Sequence, residues 1–357
     1  MIGAMKRMLY PVARNYVARV TIMEGRLKRT DHRFKCLFVG SSLFTDALIR
    51  RMYEESPAVI AKSRVWIPAV RKLILEKWDS IDLCVAVLPT RCEAALEGLS
   101  DYKTTEGVRQ VIDTSGSWDD VKGRFSKKKR QITNTFAERY GLGYRISSDP
   151  EDFDYFYYRM FVPHIRKRFG ALSDIDSYED MKKFFGKGRL VLVTKNEKVV
   201  AGALSLVEDG ALVFRRTGVL DGDESLVDGG AQTALYYFQL KYANEHHLHS
   251  VDTMLSDPFL NDGVYRHKRE WGAAVLPDVE AIRGVYFCKA RPCDSVARFF
   301  ESNPLVFYSN GGLSGLIGVP DATDVTAPAI SDLTHRYRSR GLAGFTVVTR
   351  TETFRVS

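Results

Sequence analysis

The chain has 357 residues, of which 45% are hydrophobic and 11% aromatic; that suffices for two packed domains and excludes a mainly disordered state. Lys and Arg number 52 against 44 Asp and Glu, a formal net charge of +8. This favours an anionic partner, whether a phosphate-bearing donor, nucleic acid or a membrane surface, and says nothing of fold. The five cysteines, Cys36, Cys84, Cys92, Cys288 and Cys293, form no C-x-x-C pair. Neither a disulfide framework nor a metal site is expected from them, and a reducing, cytoplasmic setting is the simplest one. No run approaches the ~18 apolar residues of a spanning helix. Residues 1–29 are basic with short apolar pieces and lack a continuous apolar core, so they read as an amphipathic arm rather than a cleaved signal. A peripheral membrane contact there is a weaker expectation.

The first clear strand is Phe34–Gly40, followed by a helix over Ser42–Glu55 with Ser41-Ser42 as its cap. A second helix is predicted over Pro68–Trp78, then strands at Ile81–Leu88 and Val108–Asp113. Gly40 between a strand and a helix invites a nucleotide-binding reading. Both glycine-rich phosphate motifs are absent, and a plain turn is the better reading. Ser117-Trp-Asp-Asp opens a helix that becomes strongly basic at Lys127–Arg130, with Phe125, Ile132, Phe136 and Tyr140 on its apolar side; Gly141 and Gly143 end it. The chain restarts as a strand at Tyr144–Ile146. A helix follows from Pro150 with Phe153, Phe156, Tyr157, Met160 and Phe161 at helical spacing. A domain boundary is placed near residue 143.

In the second half, Leu190–Thr194 and Val199–Val207 read as a hairpin around Asn196-Glu197, with Ala211–Gly218 as a third strand. A loop over Leu220–Gly230 leads into a helix with Ala231, Ala234, Leu235, Phe238 and Tyr242 on one face. Ser250–Met254 is the next strand, a short helix covers Asn261–Trp271, and Tyr286–Lys289 is again a strand. Antiparallel strands followed by a helix and a further strand make an α+β arrangement, not a doubly wound parallel sheet.

This order resembles the GNAT acyltransferase superfamily, and within it the Fem-type and BioF2-like branch. Three stretches carry the likeness: Trp118-Asp-Asp with the basic run Ser126–Ile132 and Tyr140-Gly-Leu; Phe153–Met160 ending in Pro163–Arg168; and Ser256–Gly263 running into Lys268-Arg-Glu-Trp-Gly272. It covers roughly Val108–Lys289. The resemblance implies tandem GNAT-like domains with mixed, mostly antiparallel sheets flanked by helices. The expected division is an arm at 1–33, a degenerate GNAT-like domain at 34–143, a GNAT-like acyltransferase domain at 144–310, and a segment 311–357 that returns to the first domain. It also implies an N-acyltransferase that moves an acyl group to an amine of a small molecule, sugar, amino acid or peptide. The donor would be acyl-CoA as co-substrate, with no tightly bound cofactor, or else a charged tRNA. A non-catalytic RNA-binding or membrane-surface protein is the reading from another class.

Such chemistry needs cations or backbone N–H groups for the donor's phosphates, a hydrogen-bond donor for the acyl oxygen, and a route for the amine's proton. For phosphate, Asp228-Gly-Gly-Ala231 offers Gly229, Gly230 and Ala231 at a helix N-terminus, with Arg215, Arg216 and Gly218 on the preceding strand. Arg215-x-x-Gly218 resembles the superfamily's R/Q-x-x-G-x-G/A loop, but Leu220 stands where its next small residue belongs. A long loop with a glycine cap is the alternative. For acid–base work, the Asp-Gly…Lys…Trp-Gly run implies Asp262 and Lys268 as catalytic residues facing one cleft, Asp262 addressing the amine and Lys268 an anionic group. Asp262 as a mere N-cap and Lys268 as a surface cation over Trp271 are the alternatives. Tyr157, His164, Asp257, His267 and Trp271 are expected beside substrate. His246, His247 and His249 end a helix and read as capping residues rather than metal ligands. The G-x-S-x-G elbow is absent, so direct attack by the amine is expected rather than an acyl-enzyme.

Overall fold

The computed structural model describes residues 16–134, 141–170, 175–309, 312–321 and 325–356. They form two compact units, each with its own core. Unit 1 comprises residues up to Val108 together with Leu255–Arg266 and Val275 onward; unit 2 comprises Arg109–Met254 and His267–Ala274. The chain therefore crosses over after Val108, and not near residue 143 as its glycines suggest. Gly141 instead precedes, and Gly143 lies within, an edge strand of unit 2.

In chain order, the strands of unit 1 begin with β1 (Val17–Arg26), β2 (Arg33–Val39), β3 (Ala58–Trp66), β4 (Leu83–Pro89) and β5 (Ser100–Thr105). Part of the expected N-terminal arm is thus β1, paired with β2 and β3; residues 1–15 lie outside the described residues. Unit 2 takes β6 (Val108–Asp113), β7 (Leu142–Ser147), β8 (Gly188–Lys195), β9 (Lys198–Glu208), β10 (Ala211–Val219) and β11 (Ser250–Ser256). The chain then returns with β12 (Ala274–Leu276), β13 (Arg283–Cys288), β14 (Leu305–Ser309), β15 (Gly312–Gly318), β16 (Leu342–Val348) and β17 (Thr353–Val356).

Unit 1 holds a sheet of order β3-β1-β2-β4-β13-β5 and a second of order β14-β15-β16-β17. In the first, β2 and β4 run parallel; β1/β2, β1/β3, β4/β13 and β13/β5 are antiparallel. Helices Leu43–Met52 and Asp294–Ser302 lay Leu48, Met52, Phe299 and Phe300 against Phe34, Phe38, Val85 and Phe287 in one core that also takes Leu316 and Val348. β16 and β17 also belong to unit 1.

Unit 2 is built on the seven-stranded sheet β12-β6-β11-β10-β9-β8-β7. β7 to β10 are successive antiparallel neighbours, and Asn196 and Glu197, both at positive φ, make the tight turn between β8 and β9. Between β7 and β8 lie a helical run from Pro150 to Phe169, with a π-helical turn at Phe156–Phe161, and the helix Tyr178–Lys187. After β10 comes the helix Ala231–Glu245, then β11, parallel to β10. This is the GNAT-like order: strand, helices, antiparallel strands, loop, helix, parallel strand. Each of the three sheets is mixed and mostly antiparallel, as expected.

The basic helix expected from Ser117 onward is broken. Trp118–Gly123, opened by a Ser117/Asp120 capping box, ends before Lys127–Thr133 begins with Ser126 as its own cap. Phe136 and Tyr140 lie outside the described residues.

Candidate functional site

Arg215 occupies a β-bulge in β10, where the register with β9 shifts between Phe214 and Arg216. Its guanidinium donates to Glu208 Oε1 at 3.0 Å and lies over the Phe184 ring, while Arg216 pairs with Asp176 and donates to the Arg215 carbonyl at 2.9 Å. Both arginines are therefore engaged with carboxylates of their own unit. Gly218 is demanded by packing: a Cβ there would stand 2.4 Å from the Met160 carbonyl carbon and 2.5 Å from the Phe161 nitrogen. Gly230, the N-cap of the Ala231–Glu245 helix, has φ 91, so any side chain at that position strains the backbone before a ligand is considered. Gly229 has φ −71 and is the better position for probing the loop.

A second feature opens beside this strand. β10 and β11 pair only from Ala211–Val213 to Ser250–Asp252, and beyond Val213 the strands part. Phe214, the last residue before the bulge, packs edge-on to Tyr236, ring centroids 5.1 Å apart. Tyr236 stacks on fully buried Trp271 and meets the His267 ring at 4.7 Å. Three cations bear on this aromatic group. Lys129 stands 5.0 Å over Trp271 and 3.6 Å from Glu270; the buried Lys268 donates to the Met254 carbonyl at 3.0 Å; and the charge of Arg168 acts on both Tyr236 and His267.

These charges set the state of His267. Burial first, then Lys129, Arg168 and Lys268, push its pKa down to about 4. The Trp271 Nε1–H donates to His267 Nε2 at 3.2 Å. That nitrogen is then the acceptor, and Nδ1 carries the proton. At neutral pH His267 is an uncharged hydrogen-bond donor, suited to an acyl oxygen or phosphate rather than to taking a proton. The pH dependence follows. The unfolded chain binds a proton near pH 6.5 and the folded one near 4, so His267 contributes stability that is fully present above pH 6.5 and is lost as pH falls toward 4. NMR titration should find this imidazole neutral at pH 5.5, and His267→Gln should flatten the melting temperature between pH 6.5 and 4. A midpoint near 6.5 would contradict the arrangement.

Asp262 and Lys268 stand before and within one helix, Gly263–Glu270, Asp262 in unit 1 and Lys268 in unit 2. Asp262 is the N-cap: its Oδ1 accepts from the Val264 and Tyr265 N–H groups at 2.8 and 3.0 Å, and its Oδ2 lies 3.6 Å from Arg51. Arg51 also donates to Asn261 and lies 4.3 Å over the Phe259 ring. Asp257 is different. Burial, then the charge of Asp262, raise its pKa above the ordinary carboxyl value, against the pull of Arg51. Among the described residues its carboxyl has no hydrogen bond. It lines a cavity of about 320 Å3 with Glu106, Asp278, Glu280 and Arg283, four carboxylates against one guanidinium.

The remaining expected residues are spread through unit 2. The Tyr157 hydroxyl donates to the Asp176 carbonyl at 2.9 Å. His164 is buried, its pKa lowered by burial and by Arg168, beside the Gly222 backbone. His246 and His249 bond the carbonyls of Tyr242 and Asp209, both at 2.9 Å. Sequence reasoning missed Arg51, Tyr236 and the carboxylates around Asp257, and read Lys129 only as part of a basic run. In the structure Lys129 shares the buried side of the Lys127–Thr133 helix with Thr133, four residues on.

No family model matches this sequence, and no curated protein does. Among solved structures, the L-PGS from Bacillus licheniformis is 14% identical over 74% of this chain and 83% of its own, with a TM-score of 0.37. FemX is 12% identical over 76% and 85%, with a TM-score of 0.39. A GCN5-related N-acetyltransferase from Kribbella flavida is 12% identical over 79% and 93%, with a TM-score of 0.29. Such likenesses leave substrate and reaction open. On the order of its own elements, unit 2 has a GNAT-like fold.

Proposed function

We propose that the protein is an N-acyltransferase in which an amine attacks an activated acyl donor directly. The observation that carries this reading is the Asp257 cavity. Four carboxylates attract an ammonium, and a carboxyl whose pKa is raised is a better proton acceptor than an ordinary one. Asp257 takes the ammonium proton, and the neutral amine adds to the acyl carbonyl. The C–N bond forms as the donor's C–S or C–O bond breaks, and the leaving thiolate or alkoxide is protonated. Lys129, Arg168 and Lys268, all within unit 2, suit an anionic ligand such as the donor's phosphates, and the His267 Nδ1–H suits an oxygen that carries negative charge. Asp262 caps its helix and holds Arg51, so its part is positioning. Acyl-CoA is the favoured donor and a charged tRNA the second, since both join phosphates to an activated acyl group.

The test is calorimetry with acyl-CoAs and charged tRNAs, followed by mass detection of amide product with a panel of amines. Lys268→Met should weaken donor binding about tenfold or more while amine binding persists. Equal donor affinity in the variant would remove Lys268 from the donor's site.

A further inference from the structure

One edge of the six-stranded sheet of unit 1 carries a surface that includes none of the residues assigned above to acyl transfer. β3 is the edge strand of the six-stranded sheet, and eight of its nine residues are exposed. Its antiparallel register with β1 sets Val17 opposite Trp66, Arg19 opposite Arg64 and Thr21 opposite Lys62. Directly opposed residues point to the same side of a sheet. Ala18, Val20 and Ile22 turn into the core beneath the Val70–Lys77 helix, with Val65 packed against them. The alternate set, Arg19, Lys62, Arg64 and Trp66, therefore lies on the other face, and all four are exposed. Among the described residues, the Arg19, Lys62 and Arg64 side chains make no hydrogen bond or ion pair.

Two arginines directly opposite one another repel. Charges on an edge strand do discourage edge-to-edge pairing. That accounts for Lys62 and Arg64, but not for Arg19 on the inner strand, placed where it destabilises the pair. An anion lying across both strands resolves the conflict.

We propose that this face binds single-stranded RNA, with phosphates at Arg19, Lys62 and Arg64 and a base stacked on Trp66. Side chains two apart on a strand stand roughly 6.6 Å from each other. Trp66, Arg64 and Lys62 thus make a row with the aromatic at one end, the combination of stacking platform and cations that single strands require. A membrane-docking face has the reverse pattern, apolar side chains central and cations around them; here the cations are central. The basic run Lys127–Arg130 is the weaker candidate, because Lys129 is buried against Glu270 and Arg130 donates to the Phe125 carbonyl.

The inference is independent of the acyl-transfer reading, and the experiment uses neither donor nor acceptor. Anisotropy of a fluorescein-labelled uridine dodecamer is measured with the full chain from low to high salt. Three phosphate contacts predict a slope of log K on log salt of about −2, falling to about −0.7 in Lys62→Gln/Arg64→Gln. Trp66→Ala should weaken binding roughly 5- to 150-fold. Lys127→Gln/Lys128→Gln should leave affinity within about twofold, and melting temperatures should not fall in the Lys62/Arg64 variant, which relieves repulsion. Absence of binding, equal binding in both strand variants, or binding only to phosphatidylglycerol vesicles would overturn the proposal. So would loss of binding in the Lys127/Lys128 variant alone.

Discussion

Replacing Trp271 with alanine is expected to destabilise unit 2 by about 3–5 kcal/mol, the largest stability effect expected of a single residue here. The indole is fully buried. Phe125 meets it edge-on at 5.0 Å, Tyr236 stacks on it at 5.8 Å, and the Lys129 ammonium lies 5.0 Å above it. Its removal leaves a large void beneath Tyr236 and deprives buried Lys129 of the ring it rests on. It also deletes the N–H that fixes the His267 tautomer. Trp271→Phe separates these effects: it refills much of the volume but not the hydrogen bond. The phenylalanine variant should recover most of the stability and still bind donor less well than wild type. Denaturant melts decide the first point; a loss below about 1 kcal/mol for Trp271→Ala would show that the site collapses around the gap and that the ring is not its support.

Asp257→Asn is expected to lower turnover by about 10²–10⁴-fold with little change in melting temperature. Asparagine keeps the shape and removes the basicity. Because burial and Asp262 raise the carboxyl's pKa, deleting its charge also relieves an unfavourable interaction, so stability should hold or rise slightly. The wild-type rate should fall as pH drops through this raised pKa, since only the carboxylate accepts a proton. Asp262→Asn is the control. The amide oxygen can still accept from the Val264 and Tyr265 N–H groups, so that variant should lose far less activity than Asp257→Asn. The opposite order of effects would return the base to Asp262.

The units were unequally legible in the sequence. β2, β4, β6, the hairpin of β8 and β9, β10, the Ala231–Glu245 helix and β11 follow from period and turn residues, because buried strands are continuous apolar runs and Asn196-Glu197 suits a tight turn. β3 did not follow: Ala-Val-Ile-Ala-Lys-Ser-Arg-Val-Trp is exposed on both faces and has no buried alternation to betray it. The unit boundary did not follow either, since the crossover after Val108 lies inside a strand while the glycines at 141 and 143 lie inside a domain. For the site, sequence order singled out His267, Trp271, Asp257 and Lys268. It could not tell a capping Asp262 from a basic one, because the difference lies in which oxygens are already occupied. Nor could it find Arg51, whose partners Asn261 and Asp262 stand more than two hundred residues away.

The measurement closest to the central claim is amide formation under single turnover. Purified protein in excess over acyl-CoA or charged tRNA is mixed with an amine panel, and product is followed by mass spectrometry in wild type and Asp257→Asn. The account predicts an amide whose mass is acyl group plus amine, formed rapidly by wild type and at least about 10²-fold more slowly by the variant, with no acylated protein along the way. Equal rates in the two proteins, an acyl group found on the protein itself, or no amide from either donor class would contradict it.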